Sequence, residues 1–129
     1  MRLYFAVSTI ALLATHQVDA AYQKEWELFG VPGGIDFFLV FNFVAVFVLL
    51  MSLIKLASVP RANFLWRYLI PIMGLFTVTI HSIFMLKGHS EFTQIGSISI
   101  LVLLLLSSAT EVYLENSLSQ RIKEYPDTL

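Results

Sequence analysis

His16 and Asp19 stand three residues apart near the end of one apolar run, and His81 lies near the end of another. His89 and Glu91 follow in the short polar segment after His81. Imidazole and carboxylate are the ligand types that hold zinc, and they are also the groups that pass protons near neutral pH. A three-residue spacing puts His16 and Asp19 on one face of a helix. Two chemistries fit the set. In the first, His16, Asp19 and His81, joined more weakly by His89 and Glu91, bind a divalent metal such as zinc, whose open coordination position would activate water. In the second no metal takes part, and a carboxylate such as Asp19 orients a histidine that exchanges protons. The H-x-x-D spacing is not specific to either, and the H-E-x-x-H arrangement of helical zinc enzymes does not occur. The chain has no cysteine, so thiolate ligands and thiol nucleophiles are excluded.

Each of these residues also has a purely structural use. His16 and His81 would join two helices by bonding to each other, to a neighbouring threonine or to a backbone carbonyl. Asp36 follows Gly33 and Gly34 and fits the N-cap of the helix beginning there. Glu91 in a first helical turn would offset the helix dipole, and His89 in a hairpin would face solvent. Glu25 and Glu27 read as interface surface unless Glu25 folds back toward the histidines. Asn42 and the scattered serines and threonines suit helix packing, and Glu111 is expected to snorkel or to pair with Arg67 or Lys55 at the other end of the spans.

The elements that carry these side chains are apolar runs. Residues 3–18, 37–54, 68–86 and 92–110 hold no Asp, Glu, Lys or Arg, against a requirement of ~20 apolar residues for a spanning helix. With 57% hydrophobic residues, 13% charged and a mean hydropathy of +0.78, a chain this short has too little interior to hide its apolar surface from water. Lipid must act as its solvent. Backbone amides in hydrocarbon need partners within their own segment, so each run reads as an α-helix. The expectation is a single all-α domain, an antiparallel bundle of four transmembrane helices at about 3–22, 36–55, 67–87 and 91–113, with a polar, solvated helical tail over 115–129. Val31, Pro32, Gly33 and Gly34 break the chain after an amphipathic segment that holds Trp26 and Phe29. Gly88 suits a helix C-cap in the third connection.

Positive residues bias their loops toward the cytoplasm. Arg2, Lys55, Arg61, Arg67, Arg121 and Lys123 share one side of a four-span topology, and only Lys24 and Lys87 fall on the other. Both termini are therefore expected inside. His16 and His81 each lie six residues before the outer end of their helix, ~9 Å below the surface at matching depth. A competing reading takes Arg2, the apolar run after it and Val18-Asp19-Ala20 as a secretory signal cleaved after Ala20, which would leave three spans. Acidic Asp19 and bulky Gln17 fit such a site poorly, so retention is expected. A net charge of −1 with dispersed basic residues leaves no footprint for nucleic acid.

The run Thr15-His16-Gln17-Val18-Asp19-Ala20, then Glu25-Trp26, then His81, then His89-Ser90-Glu91-Phe92 resembles a family of small bacterial membrane proteins that is a domain of unknown function. Their pattern is T-H-E-x-D-A, E-W, a third-helix histidine and a histidine-rich hairpin ending in E-F. The likeness spans nearly the whole chain and implies a four-helix architecture in a bacterial inner membrane. It draws attention to His16, Asp19, Glu25, Trp26, His81 and His89. Gln17 stands where that family often has Glu, which removes one carboxylate, and the third helix here has one histidine where relatives carry two. No activity comes with the resemblance.

The function expected on these grounds is a non-catalytic accessory, binding or sensing module. Its outer-leaflet cluster would hold an ion, a membrane-protein partner or a second copy of the chain, or only stabilise the bundle. The alternative is a membrane-embedded enzyme, metal-dependent or acid/base, acting on lipid at the outer leaflet with His16, Asp19 and His81. Transport is the third and weakest expectation, since no charged or carbonyl ring passes through the middle of the spans.

Overall fold

Long apolar runs that must satisfy their own backbone hydrogen bonds leave helices as the only element type, and the computed structural model has helices alone among its described residues, 1–59, 63–89 and 93–124. They are α1 (Arg2–Tyr22), α2 (Glu25–Leu28), α3 (Gly34–Ser58), α4 (Phe64–Leu86) and α5 (Ile95–Glu124). Among the described residues, α3, α4 and α5 are long and apolar enough to cross a membrane. α1 has the length, ~31 Å for 21 residues, but its apolar character is diluted by Thr9, His16, Gln17 and Asp19. α5 runs ~45 Å over 30 residues, well beyond a ~30 Å hydrocarbon core.

α1 lies against α5 and α4, and α5 against α4. α1 buries Ala6, Thr9, Ile10, Leu13, His16 and Ala20, a 3-to-4-residue stripe turned toward its neighbours. Where α1, α4 and α5 come closest, Gly74 occupies the contact. A Cβ there would collide with Ser108 Oγ and crowd Thr9 Cγ2 at 3.2 Å and Leu104 Cδ1 at 3.3 Å, so a small residue lets the three backbones approach. Leu49, Ile70, Leu104, Ile10 and Leu13 fill the core around this level.

α3 is attached unequally. All of its buried residues, Leu49, Ser52 and Leu56, lie in its second half, where Ser52 Oγ donates to the Trp66 carbonyl at 2.7 Å. Its first half holds none and stands off the bundle. Gly33, not Asp36, is the N-cap of α3 with φ of 94°, so Asp36 sits exposed in the first turn, where a carboxylate offsets the dipole. The capping role expected of Asp36 is thereby corrected.

The two ends of the bundle each hold a polar cluster. At the end carrying Arg2 and Arg67, Glu115 is 1% exposed and takes Arg2 Nε on Oε1 at 3.3 Å and Arg67 Nε on Oε2 at 2.7 Å. Arg67 also donates to the Glu115 carbonyl at 2.6 Å, and Arg2 to the Leu56 carbonyl at 2.8 Å. Glu111, one turn earlier, accepts from Thr9 Oγ1, which sits 2.8 Å from Ser107 Oγ. Two expectations are corrected here. Arg67 pairs with Glu115 and not with Glu111, and the start of the 115–129 segment is buried between α1 and α4 because two guanidiniums are there to receive it.

Candidate functional site

The opposite end of the bundle is built around a chain reversal. α1 ends at Tyr22, and Lys24 takes a left-handed conformation with φ of 53°, so the single turn of α2 folds back under the end of α1 instead of extending along the membrane surface. Trp26 packs on Phe38 of α3 with ring centroids 5.1 Å apart, and Phe29 meets Phe84 of α4 at 4.8 Å. These two aromatic contacts fix α2 between the first half of α3 and the last turns of α4.

The reversal drives Glu25 inward. Only 4% exposed, it lies between His16 of α1 at 2% and His81 of α4 at 3%. Glu25 Oε1 is 3.0 Å from His81 Nε2 and 4.0 Å from His16 Nε2. The two imidazoles meet edge to face, with centroids 4.4 Å apart. One ligand atom from each of the three side chains lies within 4.8 Å of the others. The matching depth of His16 and His81 read from the sequence therefore does bring them together. The surface position expected of Glu25 gives way to its alternative, folding back toward the histidines, and Glu25 is the carboxylate of the cluster.

The hydrogen bonding at His81 constrains what the cluster holds. His81 Nδ1 is 2.8 Å from the Thr77 carbonyl, an acceptor only, so Nδ1 carries a proton and donates it. Nε2 then faces Glu25 Oε1, which as a carboxylate is an acceptor too. Two lone pairs at 3.0 Å repel unless a positive charge lies between them, and that charge is a proton on one partner or a bound cation. A ring whose second nitrogen donates to a backbone carbonyl is the usual arrangement of a metal-ligating histidine. His16 Nδ1 is buried and has no hydrogen-bond partner among the described residues.

The other residues singled out by sequence fall around this centre. Asp19 is not one of the three clustered ligands. It lies one turn nearer the helix end, within electrostatic range of His81, with Oδ2 buried and unpartnered among the described residues. Gln23 Nε2 is in the same condition. His89 is half-buried with its ring 5.1 Å from Phe84, so its expected solvation is only partial, and it stands outside the three-residue cluster. Glu91 lies outside the described residues. Asn42, expected as helix-packing glue, donates to the Phe38 carbonyl of its own helix at 2.8 Å, while its Oδ1 is buried without a partner among the described residues.

A cavity of about 420 Å³ opens beside the cluster, between the first half of α3 and the helices it stands away from. His16, Glu25 and His81 form its polar end, Trp26 and Phe29 close it from α2, and its remaining wall is largely apolar. The cluster is thus reached from the side, through a hydrocarbon-lined space. Sequence reasoning missed this cavity, because nothing in the uniformly apolar α3 distinguishes a half that packs from a half that does not.

No curated protein and no solved structure matches the chain. One family model does, and its match takes in every described residue of the cluster and of the cavity. Over residues 1–118 the chain fits the model of a family of unknown function (DUF6713), and it belongs to that family.

Proposed function

We propose that the protein is a four-span protein of a bacterial inner membrane, with α1 retained as a span and both termini cytoplasmic, that holds one divalent cation near the outer leaflet. The ligands are His16 Nε2, His81 Nε2 and Glu25, two imidazoles and one carboxylate, a set that suits zinc and leaves a fourth position open. Asp19 adds negative charge beside His81 and offsets part of the ion's charge. The module is non-catalytic: it binds or senses the ion, by itself, with a second copy, or beside a larger membrane protein.

The observation that carries this reading is the arrangement at His81, whose Nδ1 faces a carbonyl while its Nε2 faces a carboxylate at 3.0 Å. Ligand atoms around a tetrahedral zinc lie roughly 3.3 Å apart, given bonds of ~2.0–2.1 Å, and the separations of 3.0 and 4.0 Å bracket that value. Buried groups of this kind are costly in a membrane interior unless something neutralises them.

Elemental analysis of detergent-purified protein tests it: about one zinc per chain is expected, absent from both His16→Ala and His81→Ala at unchanged helix content. Metal-free wild-type protein that takes up no zinc on titration would remove the proposal. The second reading, an enzyme acting on lipid, is favoured by the apolar cavity reaching the cluster, because an open position on zinc lowers the pKa of bound water to ~7. Zinc-dependent turnover of vesicle lipid would distinguish it from a binding module.

A further inference from the structure

We infer that the cavity beside the cluster binds a single-chain amphiphile with an oxyanion head, its carboxylate or phosphate oxygen completing the coordination of the ion and its hydrocarbon chain lying along the inside of α3. This rests on the cation site proposed above. Four observations converge on it.

The first is the shape of the opening. The lining residues that are most exposed are Phe37 and Phe41 on α3 and Phe76 and Ile83 on α4, between 45% and 55%. They mark a lateral gap between two spanning helices, and that gap faces bilayer hydrocarbon. The second is height. Along α3 the lining runs from Phe37 to Leu49, ~18 Å, close to half of a ~30 Å hydrocarbon core. One chain of the outer leaflet therefore fits from end to end.

The third is polarity. His16, Glu25 and His81 stand at one end of the cavity and apolar side chains form most of the rest, which is the pattern of an amphiphile aligned with its leaflet neighbours. The fourth is the outer half of α3 itself, with no buried residue over fifteen positions while the inner half packs. A helix that could close onto α1 and α4 and instead stands off leaves space for an occupant of its own length.

Energetics decide which part of the ligand is selected. Lipid tails are as apolar as the cavity wall, so moving a chain from bilayer to cavity gains little. The head must supply the preference, and an oxyanion facing Glu25 is repelled unless a cation lies between. Asn42 Oδ1, buried on the wall, would accept from any hydroxyl carried partway down the ligand.

Trp26 lines the cavity and the other tryptophan, Trp66, does not, so a Trp66→Phe background makes fluorescence a local probe. Dibromostearate added to the zinc-loaded protein in detergent is expected to quench Trp26 saturably, with unlabelled stearate reversing it. Removing zinc, or filling the cavity with Ala45→Phe, should weaken the apparent affinity about tenfold or more, equivalent to ~1.4 kcal/mol. A probe on the lipid-facing side, Phe43→Trp with both native tryptophans replaced, should show only linear, non-saturating quenching. A brominated lysophosphatidate run in parallel names the head, since the tighter of the two identifies carboxylate or phosphate. Zinc content reports folding of the Ala45→Phe variant independently. Zinc uptake with linear quenching at Trp26, or saturable quenching indifferent to zinc and to Ala45→Phe, overturns the inference and leaves the cation site standing. Failure to take up zinc removes both.

Discussion

The two polar clusters of this bundle bury similar groups and treat them differently. Glu115 is met by two guanidiniums from α1 and α4, with further donors placed on a serine and on backbone carbonyls. Its charge is balanced within the protein, although Oε1 meets Arg2 as an ion pair without a hydrogen bond among the described residues. Glu25 is as deeply buried, yet its nearest polar neighbours are two imidazoles, one of which already donates its proton elsewhere. Around it, His16 Nδ1, Asp19 Oδ2 and Gln23 Nε2 have no hydrogen-bond partners among the described residues. A buried ion pair that is complete acts as a fastener, whereas the Glu25 cluster, with fewer donors around its carboxylate, is the one we propose to hold a cation. The first cluster ties α1, α4 and α5 together, and the second is the proposed binding site.

The sharpest way to break the comparison is to make the same substitution at both ends. Glu115→Gln keeps the shape and removes the charge, leaving two guanidiniums 22% and 15% exposed without a counterion. A loss of ~3–5 kcal/mol is expected from removing one partner of a buried pair, toward the lower end because both cations retain some access to the surface. Denaturation of the detergent-solubilised variant measures it, and a loss below ~1 kcal/mol would mean that Glu115 is not the fastener described.

Glu25→Gln should behave oppositely in metal-free protein. Its amide donates to His81 Nε2 and so keeps in neutral form the hydrogen bond that a shared proton makes there in metal-free protein, so stability should change by less than ~1 kcal/mol. Zinc affinity should fall at least ~tenfold, or ~1.4 kcal/mol. A metal-free Glu25→Gln protein destabilised as strongly as Glu115→Gln would show that both clusters are structural and erase the contrast.

How far these features were legible in the sequence follows the range of the interactions. The helices α3, α4 and α5 declare themselves through long uncharged runs, because lipid imposes a local rule on every residue of a span. The meeting of His16 and His81 was legible too, since counting residues to the ends of two helices fixes their depth. Glu25 was not. α2 is a single turn, too short for any periodicity to reveal which way it faces, and its inward fold depends on a left-handed residue, Lys24, of a type that does not advertise one. Glu115 looked solvated because charged residues cluster near it in the chain, while its partner Arg67 lies 48 residues away. The clearance under the first half of α3 left no trace, because lipid-facing and cavity-facing leucines, valines and phenylalanines are alike in composition.

Zinc-edge X-ray absorption on the purified, zinc-loaded protein tests the central claim most directly. A first shell of two imidazole nitrogens and carboxylate oxygen at ~2.0–2.2 Å is predicted for the wild type, with no protein-bound zinc signal left in His81→Ala or His16→Ala. A shell of water oxygens alone, or one unchanged by His81→Ala and His16→Ala, would contradict it.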